Sequence, residues 1–384
     1  MIGKDIDRNT HQSRGSVRLF LCGDVMTGRG IDQILPHPSS PELFESYMKS
    51  ALGYVHLAES ASGPISRPVD WAYIWGEALP ALDASVVHLR LINLETAITH
   101  SDSPWPGKAV NYRMNPANID SLKVASITAC NLANNHVLDW GEQGLLQTLE
   151  TLDSARIAHT GAGKNGTEAG RPAVIDLAGG DQRLLLFGFG MPSSGVGHAW
   201  AAGEDRPGVN FLASLDDAGF RRVYDAMAQF RVPGDLVIVS VHWGPNWGFD
   251  IDPAARDFAH RLIDSGAADL VHGHSSHHIK PLEIYRNKLI LYGCGDFLND
   301  YEGIGELEGF RPDLALMYLP TLALQTGELE ALELKPFLIR RLSLAKATMK
   351  DSAWVRNILC QGDRSNAPSL TVAPDGSLHL ETQH

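Results

Sequence analysis

One pattern recurs along this chain: a short apolar run stops at Gly, Asn, His or Asp, and a polar loop and a helix-like segment follow. The clearest runs are VRLFLCGD (17–24), VVHLRLINLE (86–95), VASITACNLANNH (124–136), RLLLFGFG (183–190), DLVIVSVHWG (235–244), ADLVHGH (268–274) and KLILYGCGDF (288–297). Continuous Val, Ile and Leu bounded by turn residues suits strands buried on both faces. Helical segments are expected near 72–84, from Pro116 to about Lys123, and over 141–155, 214–230 and 252–266; the last two open on the capping residues Ser214 and Asp252. Strands alternating with helices predict α/β layers.

Toward the C-terminus the pattern changes. Segments 314–324 and 326–339, and later SLTVAP and SLHLE, read as antiparallel strands that extend or flank the second sheet. The Pro- and Ser-rich stretches 32–70 and 98–112 read as long loops over a site. The expected organisation is a flexible tail (1–15), one domain (16–345) and a C-terminal extension packed on it (346–384).

Composition excludes several classes. A net charge of −13 without a basic run disfavours nucleic acid and anionic lipid as partners. The four cysteines include no CxxC pair and lie mostly in apolar runs, so they read as small buried hydrophobes. The first 15 residues hold no apolar stretch of the secretory kind and nowhere do 18 apolar residues run together, so a cytoplasmic protein without a membrane segment is expected. GxxxxGK[ST] is absent, which argues against a nucleotide-binding ligase.

Taken singly, Asp24, Glu95, Asn135, His136, His242, His274 and His277 each read as a turn, cap or core residue. Together they point elsewhere, because the carboxyl ends of strands in an α/β sheet share one edge. Oxygen and imidazole donors without paired thiols suit one or two divalent ions such as Mn, Zn, Fe or Mg.

GDVMTGRG (23–30), INLET (92–96), YRMNP (112–116), LANNHVLDWG (132–141), VHWG (241–244), VHGHSSHHIKPLE (271–283) and YGCGDFLND (292–300) occur in the order of the CapA family, bacterial capsule and poly-γ-glutamate biosynthesis proteins of the calcineurin-like metallophosphatase superfamily. The chain resembles that family over roughly 17–300. The resemblance implies a four-layer α/β/β/α sandwich of metallophosphoesterase type. It implies Asp24 as the first-motif ligand, Glu95 in place of the usual bridging Asp, and Asn135, His242 and His274 on the second metal. His277 closes the first metal site and His136 is the general acid. Attack by a metal-bound hydroxide on a phosphoester or on an amide or γ-glutamyl-type bond follows. The alternative is an accessory or polyanion-binding protein that uses the metal without turnover.

The chain departs from the superfamily pattern at Met26, where a conventional phosphatase has His, and in the stretched GHSSH, which leaves His272 or His278 as substitutes for His277. Arg29 and Arg113 are expected to face an anionic small-molecule or polyglutamate-like substrate. Asp139 and Asp296, the latter standing where the family's GNF motif has Asn, are expected to orient histidines. Trp140, Trp243 and Trp247 are candidate cleft walls, and a homodimer is the oligomer considered.

Overall fold

The computed structural model describes residues 15–177, 182–305, 309–361 and 366–381. The expected N-terminal tail, 1–15, lies outside them except for Gly15. Two sheets form the centre. The first follows the order Leu370–Val372, Leu378–Leu380, Leu329–Arg340, Leu314–Ala323, Ser16–Val25, Leu89–Leu94, Ala129–Asn131, Ala158–Thr160, with Asp296–Leu298 also pairing to Ser16–Val25 and Ser343–Lys346 to Leu329–Arg340. The second follows the order Leu282–Tyr285, Lys288–Leu291, Leu270–His274, Leu236–His242, Arg183–Gly190, Ala173–Asp176.

Alternation along the strands explains the layering. In Ser16–Val25, Val17, Leu19 and Leu21 join a core shared with Leu184, Leu186, Leu236, Ile238 and Leu270 of the second sheet. Phe20 and Cys22 point the other way, into a core with Leu145, Leu149 and Leu152 of the helix Gly141–Ala155. On the second sheet Leu185, Phe187, Val237 and Val239 meet Val223 and Met227 of the helix Asp217–Phe230 and Phe258 and Leu262 of the helix Pro253–Asp264. The order is α/β/β/α, as expected. Both faces of each sheet are covered, which is why the runs are apolar throughout rather than alternating; each large side chain so buried contributes about 1.5–3 kcal/mol.

Four local expectations are corrected. Strands Leu314–Ala323 and Leu329–Arg340 extend the first sheet, not the second, because Leu314–Ala323 runs antiparallel along Ser16–Val25, with Leu21 opposite Tyr318. The helix expected from Ser214 is capped by Asp216, whose Oδ1 accepts from the N–H groups of Ala218 and Gly219, while the Ser214 hydroxyl donates to that same carboxylate. Asp252 caps its helix as read, accepting from Ala254 N–H at 2.9 Å. Segment 32–70 contains the helix Leu52–Ser62, which buries Tyr54, Val55 and Ala58. The segment near 72–84 is two pieces, Tyr73–Trp75 and Ala78–Ala84, broken at Gly76 with φ 44°.

Beyond residue 346 the chain forms the helix Met349–Leu359, opened by a reciprocal Thr348–Asp351 cap, and returns as Leu378–Leu380 to pair with Leu329–Arg340. Among the described residues no helix is long and apolar enough to cross a membrane. The four cysteines are unpaired; Cys22, Cys130 and Cys294 are buried and Cys360 is half-buried.

Candidate metal centre

Parallel register builds the first half of the site. Asp24 lies opposite Asn93 on one side and Asp296 on the other, and Asn93 lies opposite Asn131. The close approach of Asp296 depends on Gly23, where a Cβ would sit 1.7 Å from the carbonyl oxygen of Gly295, the oxygen that accepts from Asp24 N–H at 3.1 Å. Asn131 Nδ2 donates to Asn93 Oδ1 (2.8 Å), and Asn93 Nδ2 donates to Asp24 Oδ1 (2.7 Å), so this amide ladder ends on Asp24. The other oxygen, Asp24 Oδ2, is buried without a partner. Glu95 follows the end of the neighbouring strand, its Oε2 3.4 Å from Asn93 Nδ2. Burial, then repulsion from Asp296, pushes the Asp24 carboxyl up to about 7. Burial, then Asp24, pushes Glu95 well above the usual carboxylate range. Asp24, Glu95 and Asp296 thus gather buried carboxylates at one point, an arrangement that a divalent cation would stabilise.

The second sheet supplies imidazoles. His242 and His274 are neighbours in register, their Nδ1 atoms 2.7 Å apart. A chain of hydrogen bonds sets the tautomer of His274. His272 Nε2 donates to the carbonyl of Cys22 (2.8 Å), so its Nδ1 accepts from the Ser240 hydroxyl (3.1 Å), and the Ser240 oxygen accepts from His274 Nε2 (2.9 Å). The lone pair of His274 Nδ1 is left facing His242 and Asp24 Oδ1, which is 3.9 Å away. Burial, then the neighbouring imidazoles, holds both rings well below the ordinary histidine range, in the neutral form that binds metals. His277 differs: burial opposes its charge, but Asp296, 2.9 Å from its Nδ1, outweighs that and raises it.

Two groups of ligand atoms result, each within 4.8 Å: Asp24, His242 and His274, and Asp24, His277 and Asp296. Asp24 belongs to both. Ligand atoms about 2.0–2.2 Å from an ion stand about 3 Å from one another, so these spacings, the orphaned Asp24 oxygen and the excess buried negative charge fit divalent ions.

The LANNH loop brings the remaining residues. Asn134 Nδ2 donates to Leu94 O (2.8 Å), while its Oδ1 accepts from the N–H groups of His136 and Val137. This anchor turns Asn135 and His136 toward the cleft. Asn135 Oδ1 lies 3.1 Å from His242 Nε2. His136 is held through Nδ1 by Asp139 (2.6 Å), which leaves Nε2 3.7 Å from Glu95 Oε1. Burial lowers His136 to about 4.

Several sequence-level candidates lie elsewhere. His272 spends both nitrogens in the relay, and His278 accepts from Gly248 N–H and contacts Ile279 O, so neither replaces His277. Arg29, expected to face substrate, is buried between the rings of Tyr54 and Tyr112, with its donors on Glu45, Asp300 and Tyr54. Arg113 is likewise committed to Ser101 O, Asp102 and Ser40 O over the ring of Trp140. Trp243 donates to Tyr292 O in the core, whereas the Trp247 ring centroid lies 5.6 Å from that of His277.

Sequence reading missed Asn93, Asn131, Ser240 and Lys108. The first three share a signal: each points to the site face of a strand that ends there, Asn93 and Ser240 two residues before Glu95 and His242. Lys108, on the loop over the cleft, bonds Asp139 and Asn135 O and lies 3.2 Å from His136 Nδ1. Nothing in the sequence marks it.

Carboxylates and imidazoles gathered at strand ends between two facing sheets define an α/β/β/α protein with a candidate metal centre. Residues 18–301 match the family described as bacterial capsule synthesis protein PGA_cap, and the chain belongs to that family. It is 46% identical over 368 residues to a protein of Mycobacterium tuberculosis named probable polyglutamine synthesis accessory protein, covering 95% of this chain and 96% of that one. The PGA biosynthesis protein CapA of Bacillus subtilis is 26% identical, covering 72% of this chain and 62% of its own length. A solved phosphatase from Mycoplasma pneumoniae is a distant likeness, at TM-score 0.41 and 11% identity over 87% of this chain and 95% of that one.

Proposed function

We propose that this chain is a metal-dependent hydrolase acting on a phosphoester or on an amide or γ-glutamyl-type bond. The observation that carries the reading is Asp24, shared by two groups of ligand atoms with one buried oxygen unpartnered. Asp24, Glu95, Asn135, His242, His274 and His277 hold one or two divalent ions, which supply Lewis acidity and an acidified water. The protein's own residues do the rest. The amide ladder and the Ser240–His272 relay keep the ligands oriented. Asp139 holds His136 through Nδ1 so that Nε2 faces the cleft; burial keeps the free ring neutral, so it can pass a proton to a leaving group only after Nε2 has taken one from solvent or from the attacking water.

The test is metal content and turnover together. Purified protein is analysed for bound metal, then assayed with Mn or Zn on phosphate mono- and diesters and a γ-glutamyl anilide, alongside His242→Ala and His136→Ala. The expected outcome is loss of the ion that His242 would hold, seen as lower metal content in His242→Ala, and metal kept with activity down about 10²–10⁴-fold in His136→Ala. Absence of metal under every supply condition overturns the reading.

A second reading is favoured by the name of the M. tuberculosis relative: an accessory protein in polyglutamine or polyglutamate synthesis that binds through its metal without turnover. Metal-dependent binding of poly-γ-glutamate with no hydrolysis of any probe would support it.

A further inference from the structure

We propose that Asp296 is itself a metal ligand, holding one ion with Asp24 and His277 on the side of the site where Met26 offers no imidazole; this rests on the metal-site reading above. Three features place it there. Asp296 sits in register beside Asp24 on a short parallel strand, brought in by the Gly23–Gly295 backbone contact. One oxygen of each carboxylate and a ring nitrogen of His277 lie within 4.8 Å, all buried. Asp24 Oδ2 has no protein partner, and two buried carboxylates side by side repel unless a cation lies between them.

The surroundings of Asp296 suit a ligand. Asn299 Oδ1 accepts from Tyr301 N–H (3.1 Å), which turns its Nδ2 to donate to Asp296 Oδ2 (2.7 Å). A ligating carboxylate is normally held in this way, and each of its oxygens keeps a second lone pair. Met26, two residues after Asp24, is fully buried, its sulfur 3.8 Å from the Tyr301 hydroxyl. The Tyr301 ring packs edge-on to His277 at 5.2 Å. A neutral thioether is a poor donor to hard or borderline cations, so the missing donor at this end would come from another side chain, and Asp296 lies within reach of Asp24 and His277.

The competing account is that Asp296 only orients His277 by accepting from Nδ1. Asp296→Asn separates the two, since the amide oxygen still accepts that hydrogen bond but brings no charge. Zn²⁺ titration against a chelating indicator is run on wild type, on His242→Ala, and on both with Asp296→Asn. If Asp296 is a ligand, Asp296→Asn loses at least about 100-fold in affinity at the ion that His242→Ala retains, and the double variant binds none. Adding Met26→His to Asp296→Asn then restores the lost equivalent. Affinity within about threefold of wild type in Asp296→Asn overturns the proposal while leaving the metal-site reading intact; wild type that binds no Zn²⁺ overturns both. Anomalous diffraction from a Zn²⁺-soaked wild-type crystal answers independently of any variant's folding. An ion about 2.0–2.2 Å from an Asp296 oxygen supports the assignment, and one beyond about 3.5 Å refutes it.

Discussion

The two sheets contribute unlike halves to one site. The first sheet brings carboxylates and amides: Asp24, Asn93, Asn131 and Asp296 lie in adjacent register positions, with Glu95 at the end of one strand. The second brings His242 and His274, with Ser240 and His272 behind them. One half is too negative for a dry interior; the other is neutral and rich in lone pairs. Neither gathers a full donor set alone, so ion binding of the kind proposed would be coupled to the face-to-face packing of the core that Leu19 and Leu21 share with Leu186 and Ile238.

The largest effect should come from Asp24, the residue common to both ligand groups. Asp24→Asn is expected to abolish binding of every ion by elemental analysis, and yet to melt several degrees higher than metal-stripped wild type at pH 8, because a buried charge is removed. A lower melting temperature would mean that the carboxylate half is not strained without metal.

Next in size is the pH dependence. In metal-free protein the Asp24 carboxyl is raised to about 7, against about 3.9 in an unfolded chain. A raised carboxyl leaves stability intact below about pH 4 and removes it as pH climbs through about 7. Thermal melts of chelator-treated protein should therefore fall over that window. Saturating Zn²⁺ should give the opposite slope, since its ligands bind deprotonated.

The smallest effect tests the imidazole half. Ser240→Ala breaks the relay that presents His274 Nδ1, and zinc affinity should fall about 10–100-fold, the usual penalty for losing an outer-shell partner. The melting temperature of the metal-free protein should change little. A change in metal-free stability as large as the change in affinity would make Ser240 a packing residue only.

The same division decides what was legible in the sequence. Strand runs and their terminal donors were readable because burial on both faces leaves unbroken Val, Ile and Leu, and a donor at the end of such a run has little other reason to be there. The pairing of Asp24 with Asp296 was not, since it depends on a short parallel strand admitted by a missing Cβ at Gly23. Arg29 and Arg113 misled for a related reason. A guanidinium in a motif looks like an anion grip until the carboxylates of Glu45, Asp300 and Asp102 are found beside it. Lys108 was invisible because loop conformation, not periodicity, carries it to His136.

The contact at Gly23 also bears on which ions this end of the site accepts. Elsewhere a carboxylate pair widens or narrows as its side chains change rotamer. Here the spacing between the two strands is set by peptide atoms touching across a hydrogen, and the Asp24 N–H bond to Gly295 O holds it closed. In the proposed site this contact fixes the separation of the two main chains, so the reach of the Asp24 and Asp296 carboxylates toward an ion would be bounded by the backbone as well as by their rotamers.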